Sequence, residues 1–130
     1  MEIDKFRTFC LSLPETTEEL PFGPDTLVFK VNHKMFALTD INFFKSINLK
    51  CDPDKAVELR DRYEEVIPGY HMNKRHWNTV STQGSLPDRL LQEWIITSYR
   101  LVIAKMPQKD RARITQKLKG NSFIISLLDN

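Results

Sequence analysis

Between Pro68 and Val80 the chain reads PGYHMNKRHWNTV, gathering two of its three histidines, an adjacent Lys-Arg pair, a Tyr and a Trp. Lys74 and Arg75 carry charge suited to phosphate oxygens. Tyr70, His71, His76 and Trp77 offer flat faces on which unpaired bases can stack, at ~1–3 kcal/mol per base. Asn73 and Asn78 bring amides able to meet a base edge or a phosphate. The nucleic-acid-binding set on this reading is Lys74, Arg75, His76, His71, Asn73 and Trp77. The same residues also suit a structural loop, with Pro68-Gly69 as a fixed turn and Asn73 or Asn78 capping a turn through its side chain. Trp77 and Tyr70 would then be core anchors.

Other chemistries have less to work with. His71 and His76 are five apart, which suits neither one helix face nor one strand face, and the stretch holds no Cys, Asp or Glu. Zinc takes three or four such ligands, so no metal and no cofactor are expected. Nucleophilic catalysis needs a nucleophile, a base and an orienting group. Cys51 with His71 or His76, oriented by Asp52 or Asn73, is the arrangement available. Cys51 precedes a helix N-terminus, where the macrodipole lowers a thiol pKa, but a free cysteine is ordinarily a small buried hydrophobe. No catalytic residue is assigned. In LPFGPD, Gly23 lies between Pro21 and Pro24, and no glycine-rich phosphate loop occurs in the chain. Phe22 either folds onto a sheet or walls a small-molecule pocket together with His71, His76 and Trp77.

These side chains must be positioned by a regular framework. Ile3, Phe6, Cys10 and Leu13 recur at helical spacing until Pro14 stops them. PETTEELPFGPD reads as a loop. TLVFKV and KMFALT alternate as strands about Asn32-His33, a tight hairpin. In SINLKC, Ile47 and Leu49 share one face and Asn48 and Lys50 the other. Asp52 and Pro53 open a second helix, with Ala56, Leu59, Arg60 and Tyr63 on a stripe. WNTVST is a further strand, with Trp77 and Thr79 on one face and Asn78 and Val80 on the other. The longest helix follows, capped by Ser85 or Leu86, with Leu91, Trp94, Ile95, Ser98 and Val102 along one side. Pro107 separates it from a basic helix and an apolar tail. The order α-β-β-β-α-β-β-α-α predicts an α+β fold, an antiparallel sheet of about five strands with helices packed on one face.

A length of 130 residues suits one domain with a single core. Net charge is only +2, but seven bases stand against one acid from Arg100 to Lys119, and four acids against no base from Glu15 to Asp25. Such asymmetry predicts an electropositive surface. Two distant cysteines and an acidic, amphipathic N-terminus give neither a disulfide framework nor a signal peptide. No apolar run approaches the ~20 residues that span a bilayer. A cytoplasmic protein with no membrane partner is expected.

PFGPDTLVFKVNHKMFAL, NLKCDP and VIPGYHMNKRHWNTV resemble hallmark segments of the MmcQ/YjbR family, and the likeness runs from about Phe6 to Pro107. It implies a frataxin-like (CyaY-like) α+β sandwich, the DNA-binding role with which family members are described, and neither catalysis nor cofactor. Frataxins bind iron through an acidic first helix and nearby edge. Here that region offers only Glu2, Asp4 and Glu15, diluted by Lys5 and Arg7, so iron is not expected. Residues 1–107 are assigned to the family domain, and 108–130 to a basic helix and apolar tail appended to it.

The expected function is non-catalytic binding of single- or double-stranded DNA through the His71–Trp77 loop. A small-molecule pocket near Phe22 and a homodimer through the Phe123–Leu128 tail are the alternatives, the chain being otherwise a monomer. Trp77 is expected to be buried beneath the helices rather than open as a stacking platform.

Overall fold

The computed structural model describes residues 1–128. Helix α1 (Ile3–Ser12) buries Phe6, Phe9 and Cys10, and ends where Leu13 turns extended, as a residue before proline must. The hairpin of β2 (Thr26–Val31) and β3 (Lys34–Asp40) turns through Asn32 and His33, at φ of 48° and 67°. Positive φ at both central residues gives the turn a twist that matches its strands. Strand β4 (Ser46–Lys50) leads into α2 (Pro53–Arg62), where the Asp52 carboxylate accepts the Lys55 N–H at 3.4 Å. Then come β5 (Val66–Pro68), β6 (Trp77–Ser81), α3 (Asp88–Ile103), α4 (Gln108–Lys119) and α5 (Ser122–Leu128).

The sheet has six strands, where the sequence predicts about five; with Thr16–Glu19 as β1 their order is β1-β2-β3-β4-β6-β5, every neighbouring pair antiparallel. The added strand is β1 (Thr16–Glu19), in the segment expected to be a loop; it pairs with β2 from Thr16↔Val31 to Glu19↔Val28. Its sequence, TTEE, lacks apolar alternation because it is a short, charged edge. The expected cap of α3 also differs. Pro87, not Ser85 or Leu86, precedes its first turn, while the Ser85 hydroxyl donates to the Glu65 carboxylate at 3.1 Å.

One face of the sheet is covered by the helices. Leu27, Phe29, Ile47, Leu49 and Val80 meet Phe6, Ile95, Tyr99, Ile114 and Ile124 in a single core. A bulge after Phe29 sends both Phe36 and Ala37 into it. The Ser98 hydroxyl bridges the resulting gap in the ladder, donating to the Phe36 carbonyl at 2.6 Å and accepting the Lys50 N–H at 2.8 Å. Ile124 and Leu127 of α5 are buried in the same core, so the tail packs on its own domain.

The charge asymmetry is satisfied in part within the chain. Arg113 donates to both Glu15 carboxylate oxygens, at 2.8 and 2.9 Å, and Lys117 adds a third contact at 3.1 Å. Part of the basic helix α4 therefore meets the acidic segment, although Arg113 and Lys117 stay exposed to solvent. No helix among the described residues is long and apolar enough to cross a membrane.

Candidate functional site

The alternation along β6 decides the site. Val80 joins the main core and Asn78 turns toward α2, which leaves Trp77 and Thr79 on the face away from the helices. Trp77 is buried, at 7% exposure, but among Val28, Leu38, Met35 and Met72 in a second, smaller cluster. Its expected place beneath the helices is thus corrected. The register pairs Trp77 with Lys50 and Thr79 with Asn48, the outward residues of β4, and paired residues share a face.

Residues 69–76 fold back against this open face, held by polar contacts. The Gly69 N–H donates to the Trp77 carbonyl and the Tyr70 N–H to Thr79 Oγ1, both at 2.9 Å. Asn73 Oδ1 accepts the N–H groups of Arg75 and His76, at 2.9 and 3.3 Å. Lys74 Nζ donates to the Gly69 carbonyl at 2.9 Å. Gly69 is required by close approach, since a Cβ there would lie 2.8 Å from Trp77 Cβ and 2.9 Å from its carbonyl oxygen. From α2, Arg60 Nε donates to Asn78 Oδ1 at 2.7 Å, and its guanidinium also reaches the carbonyls of Lys74 and Trp77.

The six residues of the expected nucleic-acid set therefore fall into three groups. Asn73, Lys74 and Trp77 are engaged in shaping the loop. His76 is half-buried, and its carbonyl accepts the Cys51 N–H at 2.8 Å. His71 and Arg75 are exposed. His71 adopts a φ of 58° and lies against Tyr70, ring centroids 4.1 Å apart. The Arg75 side chain has no ion pair among the described residues. Arg60 was legible only as part of a helical stripe; nothing in the spacing linked it to a loop fourteen residues on.

Loop and sheet enclose a cleft of about 740 Å³, lined by Phe22, Leu38, Asn48, Tyr70, His71 and Thr79 among others. Phe22 and Tyr70 are 64% and 66% exposed and form apolar walls. At the floor, Thr79 Oγ1 donates to Asn48 Oδ1 at 2.5 Å. The Asn48 amide N–H2 donates to no group among the described residues. Among the described residues no lysine or arginine lines the cleft, and Asp40 is the one acid that does. Phe22 and His71 of the expected pocket meet here. His76 and Trp77 do not line it; Trp77 supports it from below through Leu38, Met35 and Met72.

The nucleophile reading needs a thiol activated by a lowered pKa. Cys51 is buried, and desolvation, followed by the charge of Asp52, pushes its thiol up rather than down. Burial likewise raises the thiol of Cys10. Among the described residues no group of three His, Cys, Asp or Glu side chains could hold a metal ion.

Known proteins share this framework. The family model described as YjbR matches residues 11–101. The uncharacterized protein YbdF of Escherichia coli O157:H7 is 36% identical over 109 residues, covering 83% of this chain and 89% of that protein. The uncharacterized protein YjbR of Escherichia coli strain K12 is 28% identical over 117 residues, covering 89% and 99%. A crystal structure of a Deinococcus radiodurans protein with a DUF419 domain superposes with a TM-score of 0.81 at 40% identity, over 87% of each chain. A Pseudomonas syringae protein superposes with a TM-score of 0.68 at 31% identity, over 78% of this chain and 98% of that one. The match spans the strands and the loop that build the cleft as well as the core beneath them, and the chain belongs to the YjbR family.

Proposed function

We propose that this chain is a non-catalytic small-molecule-binding protein that takes a planar, mostly uncharged compound on the open face of its sheet. The observation that carries this reading is the cleft of about 740 Å³ between the Tyr70–Asn73 segment and the strands. Its size falls within the ~300–1,000 Å³ of ligand sites, which pair apolar walls with a few placed polar groups. Phe22, Tyr70 and His71 supply flat surfaces, and the free Asn48 amide supplies a donor for an acceptor edge of the ligand. The two free, buried cysteines fit a reducing cytoplasm.

Titration with planar heteroaromatic fragments, followed by amide NMR shifts, tests the reading. Saturable shifts at Asn48, Tyr70 and Thr79 are expected. Phe22→Ala with Tyr70→Ala should weaken binding at least ~10-fold, about 1.4 kcal/mol, without lowering the melting temperature, because both side chains are exposed. Shifts scattered over the surface, or none that saturate, would reject it.

Single-stranded nucleic acid is the second reading, favoured by the exposed Arg75, with no ion pair among the described residues, in the same loop as the tilted Tyr70–His71 ring contact. A base would rest on one of these rings, which are inclined at 55°, and a phosphate on Arg75. Arg75→Ala should then reduce the slope of log K against log salt by ~0.7 for single strands. An unchanged slope removes Arg75 from the grip.

A further inference from the structure

Three lysines from three elements meet in a groove beside the cleft. Lys34 opens β3, Lys50 closes β4, and Lys105 lies just past α3; together with Asn32, Met35 and Trp77 they line a depression of about 540 Å³. No carboxylate among the described residues lines it. Of the eight lysines outside the groove, four are ion-paired among the described residues: Lys5 with Asp88, Lys30 with Glu19, Lys55 with Glu58, and Lys117 with Glu15. Lys34, Lys50 and Lys105 have no ion pair among the described residues.

Solvation accounts for a free lysine on an open surface, and Lys34 and Lys105 are exposed. Lys50 is different. It is half-buried next to Trp77, its partner across the β4–β6 ladder. Desolvation, then the charges of Lys105 and Lys34, push its amine below the ordinary lysine value. Like charges held together while partly desolvated repel one another, and no carboxylate among the described residues pairs with them. A multiply charged anion would supply the missing counter-charge, and ammonium groups suit phosphate oxygens as compact point charges with rotatable donors.

We propose that the groove formed by Lys34, Lys50 and Lys105 is a binding site for a phosphoryl oxyanion, carried by a free phosphorylated compound or by a nucleic-acid backbone. The site is separate from the cleft and does not depend on it, although Met35 borders both.

Titration with inorganic phosphate and pyrophosphate at constant ionic strength, read by amide and indole NMR shifts, tests the site. Saturable shifts are expected at Lys34, Lys50 and Lys105 and at the Trp77 indole, with none at Asn48 or Tyr70. Lys50→Met should weaken pyrophosphate binding at least ~10-fold. Lys109→Gln, on exposed α4 outside the groove, should leave it unchanged. In phosphate-free buffer Lys50→Met should melt no lower than the parent, because it removes a charge that its neighbours repel. If that variant does not fold, the exposed pair Lys34→Gln with Lys105→Gln carries the same test. Shifts that never saturate, or binding that none of these groove variants weakens, would overturn the proposal. A phosphate monoester and a single-stranded oligonucleotide then separate the two sources. Binding of the monoester as tight as that of the oligonucleotide assigns a free compound. Tighter oligonucleotide binding, with a salt slope that falls by ~2 when all three lysines are neutralised at ~0.7 per contact, assigns the backbone. Either result upholds the oxyanion site.

Discussion

Trp77 shows how one residue can be structural and still define a site. It fills the small cluster beneath the cleft, away from the main core. Removing a buried indole loses transfer free energy and leaves a cavity, so Trp77→Ala should destabilise by ~3–5 kcal/mol, a large part of the ~5–15 kcal/mol available to a small domain. A denaturant or thermal melt checks this, and a midpoint within a few degrees of the parent would place the indole outside any packed cluster. Tyr70, seven residues earlier and 66% exposed, should behave oppositely. Its loss should be felt by a ligand and hardly by the fold.

Among the elements, α2 acts on the site without lining it. Arg60 links the helix to Asn78, to the Lys74 carbonyl in the loop and to the Trp77 carbonyl at the start of β6, and these bonds carry a full charge into a partly buried place. Hydrogen bonds to charged groups contribute ~1.5–3 kcal/mol, and an unsatisfied buried partner adds cost. Arg60→Ala should therefore lower stability by about that amount and speed amide exchange at Gly69 and Trp77 more than in β2 or β3. Arg60→Lys should restore little, because a single ammonium cannot reach three acceptors at once as the planar fork does. Uniform exchange across the sheet in Arg60→Ala would mean that the helix does not hold the loop.

At the scale of the whole molecule, the last two helices belong to the core. Ile124 is fully buried among residues of the main cluster, so Ile124→Ala should cost ~2–5 kcal/mol. A melt unchanged by that substitution would mean that the tail lies off the domain. The same closure is electrostatic on the outside. Arg113, foremost, and Lys117 hold the Glu15 carboxyl down at about 2, from an ordinary 4.5. A carboxyl depressed in the folded state contributes stability that is complete above its unfolded pKa and lost as pH falls through its folded one. The parent's advantage in melting temperature over Glu15→Gln should thus be full at pH 6–7 and shrink between about pH 4.5 and 2. An advantage independent of pH over that window would deny the ion pairs their role.

Much of this was legible from local pattern. Helix α1, the Asn32-His33 turn, the Asp52-Pro53 helix start and the strand alternation of β4 all follow from preferences that act within a few residues: apolar period, positive φ, capping and the missing proline N–H. Strand β1 was not legible, because a charged edge strand is made by its partner's open hydrogen bonds and carries no apolar signature of its own. The face of Trp77 was not legible either, since alternation gives two faces and only the pairing of Lys50 with Trp77 says which is covered. The histidine loop drew attention by its composition, yet whether each side chain binds outward or braces inward depends on Gly69, Arg60 and Thr79, which meet it through space. The cleft and the lysine groove exist only at that level. Asn48, Lys50 and Lys34 become neighbours of Tyr70, Trp77 and Lys105 when strands distant in sequence share a register and a helix ends beside them. Sequence sets what each segment can be, because its forces are short-ranged; packing decides what the segments jointly face.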